Sequence, residues 1–183
     1  MRSGMRPTRS ILLGLALGAL VAMTNVAPAR AQSEDQIKAA FLFNFARYVE
    51  WPDSAFSGGG APVRICMAGA EDFASVVSQV VAGKSVGDRA VEVVPGIDLA
   101  GASTCHILYV GAGVSAGPGQ VASSVTGAHV FTVADRKGFA EGGGIANFIR
   151  ADNKVRFEIN PGAAKQAGLK ISSRLLRLAK VVK

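Results

Sequence analysis

The sequence predicts an α/β fold: a single three-layer domain with a largely parallel sheet that ends in an antiparallel hairpin, and helices on both faces. Three observations lead to this prediction. Several short apolar runs show no alternation of polar and apolar residues, which is typical of strands covered on both sides. Helical patterns separate some of these runs. Near the C-terminal end, two alternating runs flank a turn signal, as in a hairpin.

The first 31 residues are predicted to be a secretory signal peptide. They combine a basic start, an apolar run and small residues at a cleavage position. These features are Arg2, Arg6 and Arg9, the run 11–23, and Ala29 and Ala31. The apolar run is too short for the roughly 20 helical residues that span a bilayer. An uncleaved membrane anchor remains the alternative.

Cleavage after Ala31 would leave residues 32–183, a length usual for one domain. The full chain has a net charge of +7, but residues 1–31 carry four arginines and no acidic residue, so the domain carries only +3. A charge this small gives little support for nucleic-acid binding. We therefore expect a periplasmic domain with no nucleic-acid partner.

The domain is predicted to begin with an unusually apolar helix. Ser33 and Gln36 form a capping-box pattern, and a helical pattern runs from Glu34 to Trp51, where Pro52 ends it. Apolar side chains occupy most of its circumference, so the helix is expected to be either sandwiched within the domain or shared with a second subunit. Candidate partner or dimer interface residues are Phe41, Phe45, Tyr48 and Trp51.

The following segments predict the parallel part of the sheet and a helix. Apolar runs indicate strands at 63–67, 91–94, 105–110 and within 125–133, the last beginning at His129, and a helix is predicted at 71–81. The glycine-rich stretch Gly111–Gly117 follows a strand but does not match G-x-G-x-x-G. We interpret it as a plain flexible turn.

The C-terminal part predicts a hairpin and two helices. The hairpin joins 145–149 to 155–159 through Asp152 and Asn153, at the end of the sheet. Asn160 and Pro161 open a helix that Gly168 ends or bends. Ser172 or Ser173 caps a last helix with an apolar face. The apolar face comprises Ile171, Leu175, Leu178 and Val182. The basic flank of the same helix comprises Lys170, Arg174 and Arg177.

No residue pattern indicates catalysis, a metal site or a cofactor. His106 and His129 are expected to be buried, hydrogen-bonded histidines, because no metal-ligand spacing surrounds them. Glu158 lies on an alternating strand and can line a groove against the basic last helix. Glu158, Arg174 and Arg177 are therefore candidate residues for binding a small ligand or a peptidoglycan fragment.

Cys66 and Cys105 are the two cysteines of the chain. In an oxidising compartment such a pair most simply forms a disulfide. Two separate buried thiols remain the alternative.

Three segments resemble the YfiR/HmsC-like periplasmic regulators. They are AAFLFNFARYVEWP, FTVADRKGFAEGGGIANFIRADNKVRFEIN and AAKQAGLKISSRLLRLAKVV, and the similarity covers nearly all of the predicted mature chain. The resemblance implies a small α/β domain that dimerises and represses a membrane-bound diguanylate cyclase by binding its periplasmic portion. Cyclic di-GMP then stays low and biofilm formation is held back.

The resemblance also implies further partners and site residues. An outer-membrane lipoprotein is expected to release the repression, and peptidoglycan binding is expected to involve Glu158. Cys66 and Cys105 match cysteines of the family. A second cysteine pair of better-known members is missing, because this chain has Ala140 and Asn147 in that neighbourhood. Any redox response would therefore have to use the Cys66 and Cys105 pair.

Overall fold

A computed structural model describes residues 33–183, which belong to one compact unit, Gln32–Lys183. The predicted signal peptide lies outside the described residues. The helices are α1 (Glu34–Tyr48), α2 (Glu71–Val81), α3 (Pro118–Ser124), α4 (Pro161–Gln166) and α5 (Ser173–Leu176). The strands are β1 (Val49–Glu50), β2 (Val63–Ala68), β3 (Ser85–Val86), β4 (Arg89–Pro95), β5 (Ile107–Val110), β6 (Phe131–Ala134), β7 (Ala146–Ala151), β8 (Lys154–Ile159), β9 (Lys170–Ile171) and β10 (Lys180–Val181).

Eight strands form one sheet in the order β10-β8-β7-β6-β5-β2-β4-β3. The five strands from β7 to β4 in this order are parallel to one another. Strand β8 is antiparallel to β7, and β3 is antiparallel to β4. The mixed α/β class with a mostly parallel sheet is confirmed.

Both faces of the sheet are covered, as continuous apolar strands require. In β2, Ile65 and Met67 pack into the core that contains Phe45 of α1 and Val77 of α2. The alternate residues of β2 pack on the opposite face with Val121 of α3. The sheet therefore has an apolar core on each face, and the disulfide belongs to the second.

Helix α1 has the predicted start and an earlier end. Ser33 N donates to Gln36 Oε1 at 2.9 Å, and Gln36 N donates to Ser33 Oγ at 3.2 Å. The helix ends at Tyr48, three residues before the predicted end at Trp51. The cause is strand pairing: β1 is antiparallel to β9, which gives the backbone of Val49–Glu50 extended partners.

The C-terminal part corrects two predictions. The hairpin β7–β8 is confirmed, with Asp152 and Asn153 both at positive φ, but it does not form the edge of the sheet. The predicted long last helix is wrong: α5 is a single turn, and β10 then pairs in parallel with β8 as the edge strand. Leu178, expected on the apolar face, is therefore 62% exposed, whereas Leu175 is buried.

The glycine-rich loop after β5 is a packing element as well as a turn. A Cβ on Gly111 would lie 2.3 Å from the carbonyl oxygen of Gly69, and one on Gly69 would lie 2.9 Å from the backbone of Gly113. The loops after β2 and β5 therefore touch backbone to backbone, where only glycine fits. The short helix α3, which the sequence did not predict, follows this loop.

Candidate functional site

Glu158 lies in a row of polar side chains across three adjacent strands. Its register partners are Asn147 on β7 and Lys180 on β10. Glu158 Oε1 accepts a hydrogen bond from Lys180 Nζ at 2.9 Å, and Glu158 Oε2 accepts one from Asn147 Nδ2 at 3.4 Å. Asn147 Oδ1 in turn accepts from the backbone N–H of Arg136 at 2.9 Å. The row thus fixes the carboxylate of Glu158 from both sides.

The charges in this row are unequally exposed. The side chain of Glu158 is 8% exposed, whereas that of Lys180 is 63% exposed. The hydrogen bond to Glu158 raises the pKa of Lys180 above its ordinary value. A ligand approaching this edge would therefore meet the ammonium group first, with the carboxylate behind it.

Neither of the two arginines predicted to accompany Glu158 forms an ion pair with it. The guanidinium of Arg174 stands 5.8 Å from the ring centroid of Tyr48, and Arg177 is exposed. Among the described residues, the cation within 4.0 Å of Glu158 is Lys180. A strand that carries Lys180 could have been predicted from the sequence, because Lys180 precedes two β-branched residues, which favour strands.

Three of the four predicted interface residues, two on α1 and one shortly after it, remain partly accessible. Phe45 is fully buried, with its ring centroid 5.4 Å from that of Phe131, so it does not reach the surface in this structure. Phe41, Tyr48 and Trp51 are each half-buried. The reason is geometric: the sheet covers the Phe45 side of α1 and leaves part of the neighbouring surface uncovered.

A chain of ion pairs that no sequence pattern predicted lies beside the carboxyl end of β6. The ammonium group of Lys38, a buried residue of α1, contacts Glu34 at 2.7 Å and Asp135 at 2.5 Å. Arg150 extends the chain by pairing with Glu34. Burial lowers the pKa of Lys38, but the two carboxylates outweigh burial, and the net pKa is raised.

Next to these ion pairs is a cavity of about 350 Å³ lined by Tyr109, Gly111 and Asp135. It lies at the carboxyl ends of the parallel strands β5 and β6. Ligands of open α/β sheets commonly bind at such a place. Burial and the charge of Asp135 raise the pKa of Tyr109 to about 12.

The two cysteines form the predicted disulfide, with an S–S distance of 2.01 Å. Cys66 on β2 and Cys105 just before β5 are both buried. Ala140 and Asn147 are also buried, and Asn160 Nδ2 donates to the carbonyl oxygen of Ala140 at 2.9 Å. Hydrogen bonds made by the side-chain amides of Asn160 and Asn147 therefore stabilise the region around Ala140 and Asn147.

The two histidines occupy different environments. His106 is 5% exposed, and its Nδ1 accepts a hydrogen bond from the backbone N–H of Arg64 at 3.0 Å. His129 is half-buried and precedes β6 at a φ of 56°, so the predicted start of that strand at His129 is wrong. Its Nδ1 lies 2.9 Å from the carbonyl oxygen of Ala167.

Within residues 33–183, no cluster of three or more histidine, cysteine or acidic side chains is arranged to hold a metal ion. No helix in the described part combines the length and apolar character needed to cross a membrane.

The fold and these sites define a mixed α/β domain with polar clusters at the sheet ends. The model of the YfiR/HmsC-like family (DUF4154) matches residues 35–180, so the chain belongs to that family. No curated protein matches the chain in a sequence search.

Two solved structures share the fold at low identity. One is a conserved domain protein from Vibrio cholerae O1 biovar El Tor, with 12% identity and a TM-score of 0.56. The other is an ABC domain in complex with L-Trp from Streptococcus pneumonia, with 13% identity and a TM-score of 0.50. Each match covers 82% of this chain and 60% of the other, so the chain spans about three fifths of these proteins.

Proposed function

We propose that this protein is a periplasmic repressor that binds the periplasmic portion of an inner-membrane diguanylate cyclase and keeps the enzyme inactive. Cyclic di-GMP and biofilm formation would fall as a result. The observation that carries this proposal is the family match, which covers nearly all of the described domain. The predicted signal peptide supports export to the compartment in which such a partner would be met.

The exposed side of α1 supplies a surface suited to this role. The half-buried ring of Tyr48 lies close to the exposed Arg47 and Arg174. Apolar anchors with a polar rim are the usual anatomy of a protein interface. The repressor would act by stoichiometric binding, and an outer-membrane lipoprotein that competes for the repressor would release the cyclase.

A homodimer is part of the proposal. Leu178 and Val181 are 62% and 54% exposed, and they lie at the edge strand β10 or just before it. Large exposed apolar side chains and an unpaired strand edge favour association with another chain. Sedimentation of the purified protein should give the mass of a dimer, and Leu178→Glu should shift it to the monomer.

Co-purification from intact envelopes tests the partner. Tagged protein should retain a membrane diguanylate cyclase after mild solubilisation, and Tyr48→Ala should weaken retention. Arg156→Ala, an exposed change on β8, serves as the matched control. Failure to retain any cyclase from cells that express cyclases with periplasmic domains would contradict the proposal.

A second candidate function is a receptor for a small ligand or a peptidoglycan fragment. The row formed by Asn147, Glu158 and Lys180 favours it, because this row presents an exposed ammonium group backed by a fixed carboxylate. Calorimetry with purified muropeptides should give heat that Glu158→Gln reduces and Lys165→Gln, an exposed change on α4, leaves unchanged. No heat with the unmodified protein would rule against this candidate.

A further inference from the structure

Cations and aromatic rings alternate across the surface formed by α1 and its neighbours. The Lys84 ammonium lies 4.9 Å from the ring centroid of Phe43. The guanidinium of Arg47 lies 5.9 Å from the Phe43 centroid and 5.5 Å from that of Tyr48. Arg174 lies 5.8 Å from the Tyr48 centroid. We call these five side chains the cation–aromatic strip; they come from α1, α5 and the turn after α2.

The three cations of the strip have no acidic partner in the described part of the chain. Within residues 33–183, no carboxylate lies within 4.0 Å of Lys84, Arg47 or Arg174. All three side chains are exposed, while the two rings between them are half-buried. Lys38 and Arg150, by contrast, are paired with carboxylates. The positive charge of the strip is therefore available to an external group.

Stacking against the rings also limits the motion of the cations. A cation held near the face of an aromatic ring is attracted to it by about 0.5–1 kcal/mol at an exposed site. A guanidinium held in this way keeps its edge N–H donors free for a carboxylate, which it binds in a bidentate manner. The Arg174 guanidinium beside Tyr48 also lowers the pKa of the Tyr48 hydroxyl.

We propose that the cation–aromatic strip binds an acidic segment of a protein partner, with Arg47 at its centre and Lys84 and Arg174 at its ends. In naming this chemistry we rely on the proposed function, because Tyr48 is shared with the proposed interface. Charge complementarity identifies the occupant: three unpaired cations in a row fit a segment that carries several carboxylates.

An anionic membrane surface fits the strip less well. Aromatic side chains that anchor proteins in membrane interfaces insert their rings among the headgroups. In the strip, Phe43 and Tyr48 are half-buried and each already has two cations close to its ring. The groups that face outward are donors for carboxylates.

Fluorescence anisotropy with a labelled glutamate-rich peptide tests this proposal on the full-length mature protein. We expect binding at low ionic strength that weakens as salt is added, and no binding of the matched glutamine-rich peptide. Arg47→Gln/Lys84→Gln should reduce the affinity at least tenfold. The control Arg156→Gln/Lys165→Gln removes the same charge from exposed positions outside the strip and should change it less than twofold.

Each other outcome would overturn the proposal. Equal losses in the two double variants would mean that only net charge matters. Binding to phosphatidylglycerol vesicles with no binding of the peptide would assign the strip to a membrane. Thermal unfolding of each variant, together with Arg47→Lys, separates loss of charge from loss of fold. If cyclic di-GMP still rises on gene deletion while the peptide does not bind, the strip proposal fails and the repressor proposal stands.

Discussion

At the scale of single residues, the buried imidazole of His106 makes the fold sensitive to pH. Its ring stacks on Phe56 with centroids 4.4 Å apart, and its Nδ1 accepts the N–H of Arg64. Burial lowers the pKa of His106 below its ordinary value of 6.5, and the charges of Arg89 and Arg64 act in the same direction. Protonation would break the hydrogen bond at Nδ1 and bury a charge.

This environment predicts a loss of stability on mild acidification. Because the pKa of His106 is lower in the folded state, the unfolded chain binds the proton first, and the free energy of unfolding falls as the pH drops below about 6.5. One proton contributes at most about 1.4 kcal/mol per pH unit. Urea unfolding between pH 7.5 and 5.5 should show this slope, and His106→Asn should reduce it. An unaltered slope in His106→Asn would contradict the assignment.

The ion pair between Glu158 and Lys180 predicts that substitutions at the two positions have non-additive effects on stability. Lys180→Met leaves a largely buried carboxylate without its cation, whereas Glu158→Gln leaves the exposed lysine in solvent. Lys180→Met should therefore lower the urea midpoint more than Glu158→Gln does, and the double variant should be more stable than Lys180→Met alone. Lys183→Met is the control. Strict additivity would mean that the two groups do not interact in solution.

At the scale of elements, the disulfide links β2 to the start of β5 across 39 residues of chain. Closing a loop of this length stabilises a fold by about 4 kcal/mol on the chain-entropy model. Cys66→Ala/Cys105→Ala should lose roughly that amount in urea unfolding. A reductant should destabilise the native protein during unfolding and leave the double variant unaffected. Equal stability of the two proteins would show that the disulfide does not brace the fold.

Because the loops after β2 and β5 are in contact, alanine substitution should cost much more stability at Gly111 than at Gly59. Gly111→Ala would place a methyl group 2.3 Å from the Gly69 carbonyl oxygen, whereas no atom lies within 4 Å of a Cβ on Gly59. The first change should cost roughly 1–3 kcal/mol through overpacking, and Gly59→Ala should be nearly neutral. Thermal unfolding compares the two. A neutral Gly111→Ala would mean that the loops separate easily.

Elements with strong local signals could be predicted from the sequence, and those set by pairing could not. Helix α2 matches its prediction because its apolar periodicity and the glycines that flank it indicate the same boundaries. The hairpin turn matches because Asp152 and Asn153 tolerate positive φ. Strands β1, β9 and β10 have two residues each and form only because a distant strand is beside them.

The candidate site could be predicted only in part, for the same physical reason. Glu158 could be singled out because it lies on an alternating strand next to the predicted basic segment. Its cation Lys180 was missed because the pair depends on the register between β8 and β10. Apolar spacing at Leu175, Leu178 and Val182 favoured a helix there, and strand pairing overrode that pattern. The ion pair of Lys38 with Asp135 joins residues 97 positions apart, so no local pattern reveals it.

At the scale of the whole molecule, the domain offers two kinds of outer surface. One is the half-buried aromatic side of α1 with its arginines, and the other is the edge at β10 with Leu178 and Val181 exposed. We propose that the apolar edge binds a second copy and that the aromatic side of α1 binds the membrane partner. Leu178→Glu should therefore disrupt the dimer while peptide binding by the cation–aromatic strip persists.

Repression of a diguanylate cyclase is tested most directly by the cellular level of cyclic di-GMP. In cells that lack the gene, we expect the level to rise severalfold and to return to normal when the wild-type gene is restored. Restoration with Arg47→Gln/Lys84→Gln should return it only in part. An unchanged level in the deletion strain, in cells that contain a membrane cyclase with a periplasmic domain, would contradict the account.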